Sequence, residues 1–478
     1  MTSVATRLAT WAAGIAPAPA DVALADRALR DTTAVALAAR DHRVNRLAAG
    51  SGALSEGARW AVAGHVLDFD DLHLPSTAHV SVVCVPTALA ASEWAASEWA
   101  ASAGAGPAQA GGGARAYLAA AGVMARLGTA LGWRHYAAGW HATCTAGAPA
   151  AAAGAAVALG LDAERIAVAM ALAVPAAGGV QRAFGTDAKS LQVGFAVDAG
   201  LRAARLAAAG AQADPAALDT WLRLVGGDPS APGLTSGDPS APEPWGADPS
   251  APGLVGGDPS APGLRDGDPS GPAPSGAAAS AVDPSGPLIT NGLAVKLYPC
   301  CYALQRPIAA LAELAPDLDP ATVRRIVLRT PAATVVPLIH HRPETGLEGK
   351  FSLEYAAAAA LLDEYPGFGS FTDAAVGRDE ARRLIGLVET RLEPGGDGLL
   401  DGELEAEVHL ADGPHGQLSV RRVSQRYPPG SPARPPTDDQ LRAKLDDCVA
   451  DLDTDPSEWT WENVPGVLRR FLPGEKHG

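Results

Sequence analysis

The chain has 478 residues, a formal net charge of −16 and a pI of about 5.1. It is too long for one ordinary core and, with no basic stripe, unsuited to a nucleic-acid backbone. Five cysteines (Cys84, Cys144, Cys300, Cys301, Cys448) without CxxC spacing point to a reducing, cytoplasmic setting with no disulfide framework, and no apolar run is long enough to span a membrane.

The N-terminal stretch is expected to form a helix ending near Gly14. Residues 20–40 have helical period, with Val22, Ala25, Leu29 and Ala36 near one face. Further helices are expected over 56–67, through the tandem ASEWA segment, and over 117–131, 147–159, 163–174 and 197–209, with a Gly/Ala loop at 105–114. No alternating strand pattern occurs before residue 290, so the first half reads as all-α.

Residues 226–287 break that texture: Asp228, Asp238, Asp248, Asp258 and Asp268 each open an Asp-Pro-Ser, ten residues apart. Pro in every unit excludes helix and central strand and separates the oxygen ligands a calcium site needs, so a flexible insertion is expected. Beyond it, 323–330 and 403–410 alternate as strands. Residues 416–423 should pair with the latter across Gly413–Pro414, and 351–363 and 373–392 read as helices. From Thr437, a plausible N-cap, the chain returns to helix. The expected fold is mainly α: a large all-helical domain (1–225 and 431–478) with an inserted α+β lid domain (291–430) after the 226–290 repeat.

Five stretches carry candidate chemistry. "DFDDLHLPSTAH" (68–79) places three carboxylates and two histidines together, but neither the Asp70–Asp71 directions nor the six-residue His spacing suits a metal; Asp70 or Asp71 could instead cap the helix after Pro75. His141 precedes small residues opening a tight helix, where a carboxylate could be met. Lys189 is a lone cation before an apolar helix, and Lys296 sits where the helical part gives way to the α+β part. Cys300 and Cys301 follow Pro299, and no neighbouring histidine activates either thiol as a nucleophile. His340, His341, Arg342 and Lys350 form a cationic cluster fit for a lid closing on an anion, or for a surface loop.

In this order "HVLDFDDLHLPSTAH", "GWHATCTAGAPAAAAGAAVALGLDAERIAVAMALA", "GTDAKSLQVGFAVDAGLRAARLA", "KLYPCC", "TGLEGKFSLEYAAAAALLD" and "TDDQLRAKLDDC" resemble the MmgE/PrpD family. The resemblance covers nearly the whole chain apart from the Asp-Pro-Ser insertion and the ASEWA duplication. It implies the helical-plus-lid fold, a homodimer, and action on a small carboxylic or polycarboxylic acid without metal or organic cofactor. Known members include 2-methylcitrate dehydratase, cis-aconitate decarboxylase and iminodisuccinate epimerase.

Carried over by motif, the catalytic set is Asp68, His79, His141, Lys189 and Lys296, with His340, Lys350 and Cys301 in substrate binding. Lys189, Lys296 and His141 would clamp carboxylates, and His79, oriented by Asp68, would move the proton. Several positions depart from the family pattern. Leu72 stands for a common Thr, Val80 for a Pro, and Gln192, Gln305 and Cys301 for histidines. These losses disfavour the decarboxylase, weaken methylcitrate dehydratase as the specific match, and suit a smaller or less charged acid. "KLYPCC" and "GLEGKFSLEY" look closer to the epimerase-like branch. The expected activity is therefore a hydro-lyase, with an epimerase or isomerase, or a catalytically silent anion-binding dimer, as the alternatives.

Overall fold

The computed structural model describes residues 2–101, 112–184, 186–231, 233–234, 287–335, 337–394, 402–411 and 418–474. Most of the Asp-Pro-Ser repeat, most of the Gly/Ala loop and the Gly413–Pro414 turn lie outside them.

The chain is largely helical with one small mixed sheet. The Gly147–Ala158 helix packs against both Gly112–Ala137 and Ala188–Ala208 and is buried along nearly its whole length. Its small residues permit this: a Cβ added to Gly154 would meet the Ala120 Cβ at 2.6 Å and the Ala116 carbonyl at 2.9 Å. Close backbone approach is thus what the alanine and glycine content supplies. Pro19–Ala38 buries Ala25, Leu29 and Ala36 as expected, while Val22 is exposed. No single helix among the described residues is long and apolar enough to cross a membrane.

Two hydrophobic cores result. The first runs from Val4 to Leu288 and Ile289 and is completed by Cys448, Val449, Trp459, Val464 and Leu468 from the other end of the sequence. The second runs from Val295 to Leu410. The Asp438–Val449 helix, capped by Thr437 as expected, touches both, with Leu441 on the second core and Cys448 in the first.

The sheet comprises β1 (Val323–Pro331), β2 (Val388–Glu393), β3 (Leu404–Ala411) and β4 (Leu418–Gln425), in the order β2-β1-β3-β4. β3 and β4 pair antiparallel from Leu404↔Gln425 to Ala411↔Leu418. β2 corrects the expected 373–392 helix. That stretch makes two short helices, Asp373–Val376 and Asp379–Ile385, and then a strand parallel to β1 with Ile326 opposite Val388. Val388, Thr390 and Leu392 alternate along a pleat, and a sheet edge outweighs a weak helical preference.

Three other boundaries shift. The helix expected to start at 197 begins at Ala188, so Lys189 lies in its first turn. The helix expected over 56–67 stops at His65. Ala231, Leu234, Leu288 and Ile289, from the two ends of the expected insertion, are buried in the helical core.

Candidate active site

The site is built on the break after Glu56–His65. Asp68 adopts a left-handed backbone (φ 57°), which aspartate tolerates better than most residues. The three carbonyls that follow the helix each receive a lysine from far along the chain. Lys350 Nζ donates to Leu67 O (3.3 Å), Lys296 Nζ to Asp68 O (2.6 Å) and Lys444 Nζ to Phe69 O (3.0 Å). Ammonium groups here satisfy carbonyls just past the helix and face its negative end.

The side chains of this segment divide the work. Asp68 Oδ1 lies 2.9 Å from Lys189 Nζ and 3.2 Å from Lys296 Nζ. Despite burial, these two cations hold its carboxyl far below the usual range. Asp70 Oδ2 lies 2.8 Å from His65 Nδ1 and 3.1 Å from His79 Nδ1. Its carboxyl too is held low against burial, by the two imidazoles. Asp71 is the cap expected of this stretch: Oδ1 accepts from the Val80 and Ser81 amides, and Oδ2 from the Ser81 hydroxyl. His73 is structural, bonded to Ser76 Oγ and to the Thr290 carbonyl.

One expectation is thereby corrected. Asp70, not Asp68, contacts His79 Nδ1; Asp68 lies 3.9 Å from Nε2, beyond hydrogen-bond reach, and is occupied by lysines. The His79 backbone amide is fixed by Thr143 Oγ1 at 3.0 Å.

His141 is 2% exposed and its Nδ1 accepts from Gln192 Nε2 at 2.7 Å. The amide orientation follows from its other end, since Gln192 Oε1 accepts from the Val180 amide at 3.1 Å. With Nδ1 an acceptor, the neutral ring carries its proton on Nε2. Burial drives the His141 pKa well below the ordinary value, so the ring is neutral near pH 7. Gln305, the other glutamine standing for a histidine, is a staple. It accepts from the Leu297 and Tyr298 amides and donates to the Tyr298 carbonyl.

All five expected catalytic residues, Asp68, His79, His141, Lys189 and Lys296, line one cavity of about 150 Å³. Cys301 lines it too, with its thiol pushed up to about 11 by burial and its amide bonded to Lys350 O. Lys350 reaches the Leu67 carbonyl behind this wall, and burial lowers it to about 8. His340 is not brought in: its amide bonds Phe351 O at 3.3 Å, and its ring is not part of the cavity wall. His341 points to Glu354 at the surface.

Residue models of known families match both halves. The MmgE/PrpD N-terminal domain matches residues 45–222, and the MmgE/PrpD C-terminal domain matches residues 298–459. The chain belongs to the MmgE/PrpD family. This MmgE/PrpD protein gave no match in the comparison with curated individual proteins. The family includes lyases and isomerases.

Sequence reasoning missed His65 and Asp70 as partners of His79. Donor atoms of these three residues lie within 4.8 Å of one another, and two imidazoles with a carboxylate are a set that zinc or iron accepts. Here, however, Asp70 Oδ2 sits between the two Nδ1 atoms, and a metal ion would have to separate them.

Proposed function

We propose that this MmgE/PrpD protein is a lyase of the dehydratase type that acts on a small carboxylic or polycarboxylic acid by proton transfer beside a carboxylate. One observation carries the reading: a histidine held by a buried carboxylate, His79 on Asp70 at 3.1 Å, shares a cavity with the Lys189 and Lys296 ammonium groups. The Asp70 carboxylate lies 3.1 Å from Nδ1 and stabilises the imidazolium formed when Nε2 takes a proton. Asp68, tied to two lysines, is too weak a base for that task.

In the proposed elimination the substrate carboxylate sits at Lys189 and Lys296, which offset charge building on the adjacent carbon. His79 Nε2 removes the proton from that carbon, the C–H electron pair forms the double bond, and the neighbouring C–O bond breaks. The departing oxygen accepts a hydrogen bond from His141 Nε2–H, takes the proton that His79 Nε2 removed and leaves as water, which returns both rings to their neutral state. The presence of two histidines in one cavity also supports a second reading, an epimerase of the iminodisuccinate type. His79 would then remove a proton from one face and His141 Nε2–H return one to the other, with His141 regaining its proton and His79 losing its own by exchange with solvent. Exposed Phe195 and Leu206, eleven residues apart on one helix face, support a homodimer.

The test is a panel of mono-, di- and tricarboxylic acids incubated with EDTA-treated enzyme in D2O and followed by proton NMR. An alkene signal supports elimination, and deuterium entry with inversion supports the epimerase. Neither signal across the panel, with the chain folded, would refute both.

A further inference from the structure

The cavity has two unlike halves. Asp68, His79, His141, Lys189 and Lys296 make one, with Thr77 and Cys301 beside them; Leu72, Tyr136, Phe184, Tyr302 and Phe351 make the other. Charges on the polar half largely cancel. One carboxylate, Asp68, is shared by two ammonium groups at 2.9 and 3.2 Å, which leaves a single formal positive charge. His141 is neutral through burial, and His79 must be neutral to act as a base.

The other two lysines near the segment do not add to this charge. Lys350 and Lys444 are bonded to the Leu67 and Phe69 carbonyls and do not line the cavity, and Lys444 is paired with Asp31 at 2.6 Å. Among the described residues no arginine lines the cavity, so the bidentate fork that grips carboxylates is missing. The volume, about 150 Å³, is below the roughly 300–1,000 Å³ of drug-sized sites. A second or third carboxylate would find the Thr77, Tyr136 and Tyr302 hydroxyls but no further cation, and a buried charge without a counter-charge is strongly disfavoured.

We propose that the cavity selects a small acid with one carboxylate and a short apolar arm, the carboxylate at Lys189 and Lys296 and the arm against Phe184 and Phe351. The inference rests on the carboxylate reading above and narrows it to the low-charge end.

Calorimetric titration of the full chain with 2-methylbutanoate, succinate and tricarballylate near neutral pH tests it. The monocarboxylate should bind at least about tenfold more tightly than the tricarboxylate. Tighter binding of succinate or tricarballylate would overturn the single-charge inference and leave the carboxylate reading standing. Binding of none, by a folded chain, would overturn both. In Asp68→Asn one negative charge is gone, and succinate should gain about fivefold or more on 2-methylbutanoate; an unchanged ratio contradicts the charge matching. Phe184→Ala, at a partly exposed position, tests the apolar arm independently. It should erase the preference for 2-methylbutanoate over acetate, and a retained preference contradicts the placement of the arm.

Discussion

Lys444 lies 375 positions beyond Phe69 in sequence, yet its ammonium meets the Phe69 carbonyl at 3.0 Å, on the backbone between Asp68 and Asp70. The same ammonium pairs with Asp31 Oδ1 at 2.6 Å and sits 4.1 Å over the Phe69 ring, with the lysine fully buried. A segment remote from the cavity thus holds the two aspartates in register.

Lys444→Met leaves Asp31 buried and unpaired, so a loss of about 3–5 kcal/mol is expected in denaturant unfolding. The double change Asp31→Leu with Lys444→Met should recover most of that stability. Turnover should nevertheless stay low in the double variant, because the Phe69 carbonyl still lacks its donor. Recovery of both together would show that Lys444 acts on stability alone.

Asp70→Asn removes the charge that holds His79 Nδ1. Turnover should fall by about 10²–10⁴ with little change in substrate affinity, since the lysines remain. Steady-state kinetics separates the two parameters, and a rise in KM alone would move Asp70 out of the proton-transfer machinery.

Gln192→Leu takes away the nearer of two donors to His141 Nδ1, at 2.7 Å, and leaves only the Cys144 thiol at 3.3 Å. One hydrogen bond of about 1–1.5 kcal/mol corresponds to about a tenfold fall in turnover. Nitrogen-15 NMR of the ring should show the fixed Nε2–H tautomer in the parent chain and a mixture in the variant.

Lys350 is lowered by burial to about 8 from 10.5. As pH rises through about 8 it loses its charge and its hold on the Leu67 carbonyl weakens, so kcat should fall on the alkaline side with KM little changed, and Lys350→Arg should move that limb upward. The sign for stability is opposite. Between about 8 and 10.5 the unfolded chain binds the proton that the folded chain has released, so folding is favoured as pH rises across that window. Chemical unfolding at a series of pH values, compared with Lys350→Met, reads this directly.

Arg126 joins the two sides of the interruption in the helical core. Its guanidinium donates to the Leu288 and Pro287 carbonyls, and its stem lies beside Gly233. Removing 236–286 with a short glycine bridge should therefore leave the unfolding midpoint nearly unchanged. Extending the deletion back to 228 also removes buried Leu234, at a cost of about 1.5–3 kcal/mol.

The fold was legible wherever its period is local. Helical stretches with Ala at every turn, and the alternating 403–410 strand, hold as expected. β2 was hidden because its partner is sixty residues away and its six residues carry no turn signal. In the site, Asp68, His79, His141, Lys189 and Lys296 stood out as polar groups in apolar surroundings. His65 did not, because a histidine inside a buried helix resembles ordinary core. Its bond to Asp70 depends on the left-handed turn at Asp68, which no periodicity announces. Lys444 was equally hidden, on a helix whose other face is charged and solvated.

The three lysines on the Leu67, Asp68 and Phe69 carbonyls also set an order of events during synthesis. A nascent chain that has passed residue 350 already contains both histidines of the proposed proton transfer and the two lysines of the cavity. It still lacks the clasp at Phe69 until residue 444 has left the ribosome. The centre is therefore completed late, and a translation product arrested in the sheet-bearing portion would lack both the Phe69 clasp and the residues that complete the helical core.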